Sequence, residues 1–261
     1  MFAKLLKHEM KATAGSIGLL SLAALGMGVI GGIMMRYIVN AAGDYRFDDM
    51  SAILAIFYVF IFFGIMAYAL GSELFLGYQF YKRKFTDQGY LTFTLPAHSW
   101  QIFLSSMVNI MIWTLIIAVV TTLAIAAIIL IGFAGVPEFR QAMAVFDLSD
   151  EFKYAFSDLT GWMIFYGIAQ YISSTVTMMT AITLGSVLAK KHKIMGAIGV
   201  YYVWSLILGI ISTQLLGGAL ITGIEENLTR VYTIETVLAL AVAVGGFLLS
   251  CWLMDKKLNL P

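Results

Sequence analysis

Residues 102–133 read IFLSSMVNIMIWTLIIAVVTTLAIAAIILIGF, without one charged side chain. A helix crosses the hydrocarbon core of a bilayer with roughly 20 apolar residues, so this stretch spans one with length to spare. Working outward, five further windows qualify, at about 14–38, 51–76, 160–189, 194–217 and 234–254. The whole chain agrees: 61% of its 261 residues are hydrophobic and 12% are charged, with a mean hydropathy of +0.89. A soluble domain carries about 25% charged residues. The apolar excess needs lipid, and the expected fold is an all-α integral membrane protein with six transmembrane helices.

Ahead of the first window, residues 1–12 set Met1, Leu5 and Leu6 against Lys4, Lys7 and Lys11. The apolar run that follows exceeds the roughly 7–15 residues of a signal peptide, and Glu9 sits where such a peptide carries only basic residues. An amphipathic N-terminal interfacial helix, its lysines at the headgroups, is expected instead. No second soluble domain, linker or internal repeat is visible, so 1–261 reads as one membrane domain.

The six spans put the connections on alternating sides. The amino-terminal side collects eleven of the sixteen basic residues, and the other side eleven of the fifteen acids. Lysine and arginine are retained on the cytoplasmic side, which places both termini and residues 81–100 in the cytoplasm of a multi-pass cell-membrane protein. On the far side, residues 134–158 show apolar spacings of three and four, as two short amphipathic helices would. Residues 217–230 suit a re-entrant or interfacial turn.

Several motifs match by accident. GMGVIG at 26–31 satisfies a dinucleotide fingerprint but lies inside an apolar span, with no strand before it; Gly28 and Gly32 make a helix-packing pair. EENLTR at 225–230 matches the E-E-x-x-x-R of intramembrane prenyl-protein endopeptidases over six residues, yet no histidine joins it. Cys251 stands alone, and His8, His98 and His192 are far apart, which argues against a disulfide, a zinc site or a histidine-activated nucleophile. No phosphate-binding G-x-x-x-x-G-K occurs. The chain reads as a non-enzyme without a cofactor or metal of its own, and nothing points to nucleic acid.

Residues 81–100, YKRKFTDQGYLTFTLPAHSW, carry the functional signal. Lys82, Arg83 and Lys84 anchor a span end at anionic headgroups, at about 1 kcal/mol per basic residue. Thr86 or Asp87 suits a helix cap. Tyr90, Leu91, Phe93 and Leu95 then place four large apolar side chains on the watery side before Pro96 ends the element. Either they fold onto the headgroups or a protein partner covers them.

FAKLLKHEMKAT, then YKRKFTDQGYLTFTLP closing one span, then HSWQIFLSSMVN opening the next, resemble the permease subunits of type-two bacterial ATP-binding-cassette (ABC) exporters. The likeness is close over about forty residues, and the six-span layout extends it along the chain. It implies that the turn is a coupling helix seated in a cleft on a separate ATPase subunit. By position Tyr90, Leu91, Thr92, Phe93, Thr94, Leu95 and Pro96 carry that contact, with Asp87 and Gly89 shaping the entry. Gln88 stands where the family has an acid, and Ser106 where it often has a lysine. The resemblance further implies two ATPase subunits holding the ATP and Mg²⁺, a second permease, identical or sister, and export of a substrate between the permeases. A non-transporting anchor or sensor that docks a cytoplasmic protein is the alternative, with an intramembrane enzyme behind it.

Polar residues inside the spans are candidates for the substrate path: Asn109, Gln170, Ser173, Ser174 and Thr177, with Thr114, Thr175 and Gln214 beside them, densest over 173–177. Helix–helix hydrogen bonding, about 0.6 kcal/mol per contact, would account for the same residues. Glu73, the acid nearest a span interior, reads equally as a functional intramembrane acid or, near the cytoplasmic boundary, as one half of an interfacial ion pair with a lysine of the amino-terminal helix.

Overall fold

Where no water can take up backbone N–H and C=O groups, each segment must satisfy its own, and a helix does so. The computed structural model describes residues 2–43, 49–86, 89, 98–145, 158–189, 192–220 and 224–256. Among them are seven helices and no strand: α1 (Phe2–Gly43), α2 (Asp49–Phe85), α3 (Ser99–Gly132), α4 (Pro137–Val145), α5 (Asp158–Leu188), α6 (Lys193–Leu220) and α7 (Ile224–Lys256). All except α4 are long and apolar enough to cross a membrane. Large apolar side chains such as Leu19, Phe60, Leu74 and Tyr202 stand exposed on them. In water that surface would be an aggregation liability; it is compatible with a multi-pass membrane protein.

The helices run past the expected windows. Phe2–Gly43 is one unbroken helix, so residues 1–12 are continuous with the first apolar stretch instead of forming an element of their own. No glycine or proline lies between Phe2 and Ala14 to stop it. α2 likewise continues through Lys82, Arg83 and Lys84, which lie in its last turn, where positive charge favours a helix C-terminus. Of the two amphipathic helices expected at 134–158, α4 is one, with Pro137 at its first position, which needs no N–H donor. Residues 146–157 lie outside those described. The turn expected at 217–230 is largely helix, α6 reaching Leu220 and α7 beginning at Ile224.

The chain forms two compact units. One comprises Met10–Leu76 and Ile112–Leu148. There Ile65, Ala124 and Ile128 form a core against which Met27, Tyr58 and Ile61 pack. The Ser21 and Tyr68 hydroxyls, 2.8 Å apart and buried, join α1 to α2. Gly28 and Gly32 are where α1 meets α3. A Cβ on Gly28 would lie 2.7 Å from the Ala124 backbone, and one on Gly32 2.8 Å from the Ala127 carbonyl. Small residues at such crossings let backbones approach and gain dispersion contacts that lipid cannot supply.

The other unit comprises Met1–Glu9, Gly77–Met111 and Ser149–Pro261. α5 is its centre, packed on both α6 and α7; 50% of its apolar stretch is buried, against 6% for α6. A Cβ on Gly185 would fall 2.2 Å from the Ala197 amide nitrogen, so α5 and α6 touch through backbone. α5 and α7 meet where the Thr180 hydroxyl donates to the Gly246 carbonyl at 3.2 Å and contacts Ser250 Oγ at 3.0 Å. The end of α2 and the start of α3 belong to this unit. Phe103, fully buried, meets Phe80 and Phe247 edge-on at centroid distances of 6.1 and 5.4 Å.

Two glycines of α1 give opposite expectations. At Gly26 nothing lies within 4 Å of the place a Cβ would occupy, whereas Gly28 abuts backbone. Alanine favours a helix over glycine by about 1 kcal/mol, so Gly26→Ala should leave the melting temperature of the detergent-purified protein unchanged or raise it. Gly28→Ala should lower it, and Gly28→Leu should lower it further.

Candidate functional site

Two places bring chemistry together, both within the second unit. The first lies where α2 ends and α3 begins. Lys84 Nζ donates to Glu9 Oε1 at 2.8 Å, and the Ser106 hydroxyl donates to the same oxygen at 2.9 Å. Both charged residues are buried, Glu9 at 6% and Lys84 at 3% exposure. Arg83 Nη1 reaches the Glu9 carbonyl at 3.3 Å. One carboxylate therefore ties the first turns of α1 to the last turn of α2 and the second turn of α3. The pairing of the amino-terminal helix with α2 exists, with the signs exchanged from those expected: the acid is on α1 and the lysine on α2. Glu73 is exposed and forms no ion pair among the described residues. Ser106, where the resembling family often has a lysine, supplies a neutral donor to a carboxylate that Lys84 already neutralises.

From this clamp the chain enters the aromatic turn. The Thr86 hydroxyl donates to the Lys82 carbonyl, and the Gly89 amide donates to the Thr86 carbonyl at 2.7 Å, closing a turn with Gly89 buried. Asp87, Tyr90, Leu91, Thr92, Phe93, Thr94, Leu95 and Pro96 lie outside the described residues. The two stems that carry them are held to the bundle. Lys193 of α6 donates to the Phe85 carbonyl at 3.4 Å, and Ser99 of α3 donates to Asp255 of α7.

The second place is a cavity of about 500 Å³ between α5, α6 and α7. Gln170, Ser173, Ser174 and Thr177 line it from α5. Their numbers follow i, i+3, i+4, i+7, the spacing of one helix face, which is why these four of the sequence candidates gather on one wall. Several α5 hydroxyls bond within the helix: Ser174 and Thr175 both donate to the Tyr171 carbonyl at 3.0 Å, and Thr183 donates to the Met179 carbonyl at 2.9 Å. Asn109 is buried on α3, does not line the cavity, and its Oδ1 has no hydrogen-bond partner among the described residues.

Glu235 was missed by sequence reasoning. Standing at the edge of the last apolar window, it counts with the solvated acids; in the structure it lines the cavity from α7 and accepts a hydrogen bond from Ser212 of α6. Tyr166 and Tyr232 flank it, their rings 5.6 Å apart. An acid inside a stretch otherwise able to span was the available signal. Glu235 precedes Asp255 by twenty residues, so at ~1.5 Å per residue the cavity's acid lies ~30 Å along α7 from the end joined to α3. Ser212 lies nineteen residues beyond Lys193, ~28 Å along α6 from the stem of α2. That is about one bilayer core.

Comparison with known protein families, characterised proteins and solved structures finds no match.

Removing one partner of a buried ion pair leaves the other uncompensated, at a cost of about 3–5 kcal/mol, whereas an apolar replacement of both is often neutral. Glu9→Ala should therefore destabilise the protein strongly in detergent melts and Lys84→Met comparably. The double variant Glu9→Leu with Lys84→Met should recover most of the loss. Additive losses would mean the two residues act separately.

Proposed function

We propose that this chain is the membrane-spanning permease subunit of a type-two ABC exporter, with ATP hydrolysed by a separate cytoplasmic ATPase subunit. The observation that carries the reading is mechanical. The stems of the aromatic turn are joined by a part-buried and an exposed polar contact and by a buried aromatic one to the same three-helix bundle that lines a cavity ~30 Å away. A force applied to the turn reaches α6 through Lys193 and Phe85, and α7 through Ser99 with Asp255 and Phe103 with Phe247. A loose loop on a membrane anchor would need none of these ties.

The charge asymmetry of the connections supports a cytoplasmic turn and cytoplasmic termini; the cavity's acid then belongs to the outward half of the membrane. The resemblance of residues 81–100 to the coupling element of such permeases supports docking by Tyr90, Leu91, Phe93 and Leu95 on an ATPase, aromatic and aliphatic anchors of the sort that dominate small interfaces. Two permeases, identical or sister chains, and two ATPases make up the working transporter. ATP-driven closure of the ATPases moves the docked turns and, through the fastened stems, opens the bundle to its cargo.

The protein purified from its native membrane in mild detergent should carry an ATPase subunit. Phe93→Asp should lose that subunit and the complex's ATPase activity while melting as the parent does. Recovery of no nucleotide-hydrolysing partner in any detergent would overturn the reading. A partner that stays bound to Phe93→Asp would remove the turn from the interface.

A further inference from the structure

The cavity between α5, α6 and α7 is unbalanced in charge. Among the described residues, Glu235 is the one carboxylic acid that lines it, no lysine, arginine or histidine does, and no basic side chain pairs with Glu235. Glu235 is half-buried at the start of an apolar stretch long enough to span, and acids within such segments pair with something. Ser212 supplies one hydrogen bond, which steadies the carboxylate without neutralising it. The remaining chemistry says what neutralises it. A metal ion needs several hard or imidazole ligands, and among the described residues no three His, Cys, Asp or Glu side chains gather. Beyond the neutral polar groups of α5 and of Ser205 and Ser212 on α6, the wall is aromatic and apolar, with Tyr166 and Tyr232 beside Glu235 and Tyr201, Leu238 and Val242 further along. Tyrosine faces attract a weakly hydrated cation within about 6 Å of the ring. The volume, about 500 Å³, is that of a small-molecule pocket.

We infer that this cavity binds a lipophilic organic cation, its positive charge against Glu235 and its apolar body against Tyr166, Tyr232 and the aliphatic wall. Gln170 and Thr177 offer hydrogen bonds to polar substituents. That the cation is exported cargo rests on the permease reading; that it binds does not. Gly209 marks the α6 wall of the same cavity, with nothing within 4 Å of the position a Cβ would take, so a large side chain there would enter the cavity without moving backbone.

Tetraphenylphosphonium and tetraphenylborate have nearly one shape and opposite charge. Equilibrium binding of each to the detergent-purified full chain, without nucleotide or ATPase, tests the inference. Saturable one-site binding of tetraphenylphosphonium is expected, at least tenfold weaker in Glu235→Gln and restored in part by Glu235→Asp. Gly209→Trp should abolish it. Tetraphenylborate should bind the parent at least tenfold more weakly than tetraphenylphosphonium. Equal binding of the two ions by the parent, unchanged binding by Gly209→Trp, or no saturable binding of tetraphenylphosphonium would overturn the inference. If Glu235→Gln does not melt cooperatively, the pair of probes and Gly209→Trp decide alone. Loss of the ATPase partner would leave all these outcomes intact, so the two readings fail separately.

Discussion

A carboxylate and an ammonium buried 2.8 Å apart, Glu9 and Lys84, are the constraint around which the end of α2 and the start of α3 are arranged. α2 brings three consecutive basic residues to its last turn, and burying the third of them is tolerable only beside an acid. The chain supplies that acid from the second and third turns of α1, and Ser106 of α3 completes the shell. Hydrophobic contact alone would let the helices slide, since lipid packs on leucine as well as leucine does. The ion pair fixes register, and it does so at the root of the aromatic turn.

The same economy of polar groups runs through α5. Its threonines and serines mostly bond back to their own helix or, at Thr180, to α7. The polar stripe from Gln170 to Thr177, in which Ser174 also bonds back to the Tyr171 carbonyl, lines a cavity together with an acid and a pair of tyrosines, Tyr166 on α5 and Tyr232 on α7. Clamp and cavity thus occupy opposite ends of one bundle. Continuous helices connect them.

The apolar architecture was plain in the sequence because span length alone decides it: no charge interrupts residues 102–133. Helix ends were less legible. The lipid boundary shows in hydropathy, but a helix continues into the headgroups wherever its residues favour one, as α2 does through Lys84. The pairing of Gly28 and Gly32 with a neighbouring helix was readable from a four-residue spacing. Glu9 was not, because three lysines around it suggest solvent, and its partner is 75 positions away. Glu73 drew attention for lying within a span, yet it is exposed. The polar stripe of α5 had a local signature in its helical spacing. Its counterpart Glu235 had only the mark of an acid at the edge of a span, since only packing of α6 and α7 on α5 turns the first residues of a span into a cavity wall.

The central claim is that the aromatic turn faces the cytoplasm and the α4 region the opposite side. With Cys251 replaced by serine, single cysteines at Asp87 and at the exposed Glu138 can be probed with a membrane-impermeant maleimide. The account predicts labelling of the Glu138 position in intact cells and of the Asp87 position only in inverted vesicles. Labelling at Asp87 from outside intact cells would contradict it, since no cytoplasmic ATPase could then reach the turn.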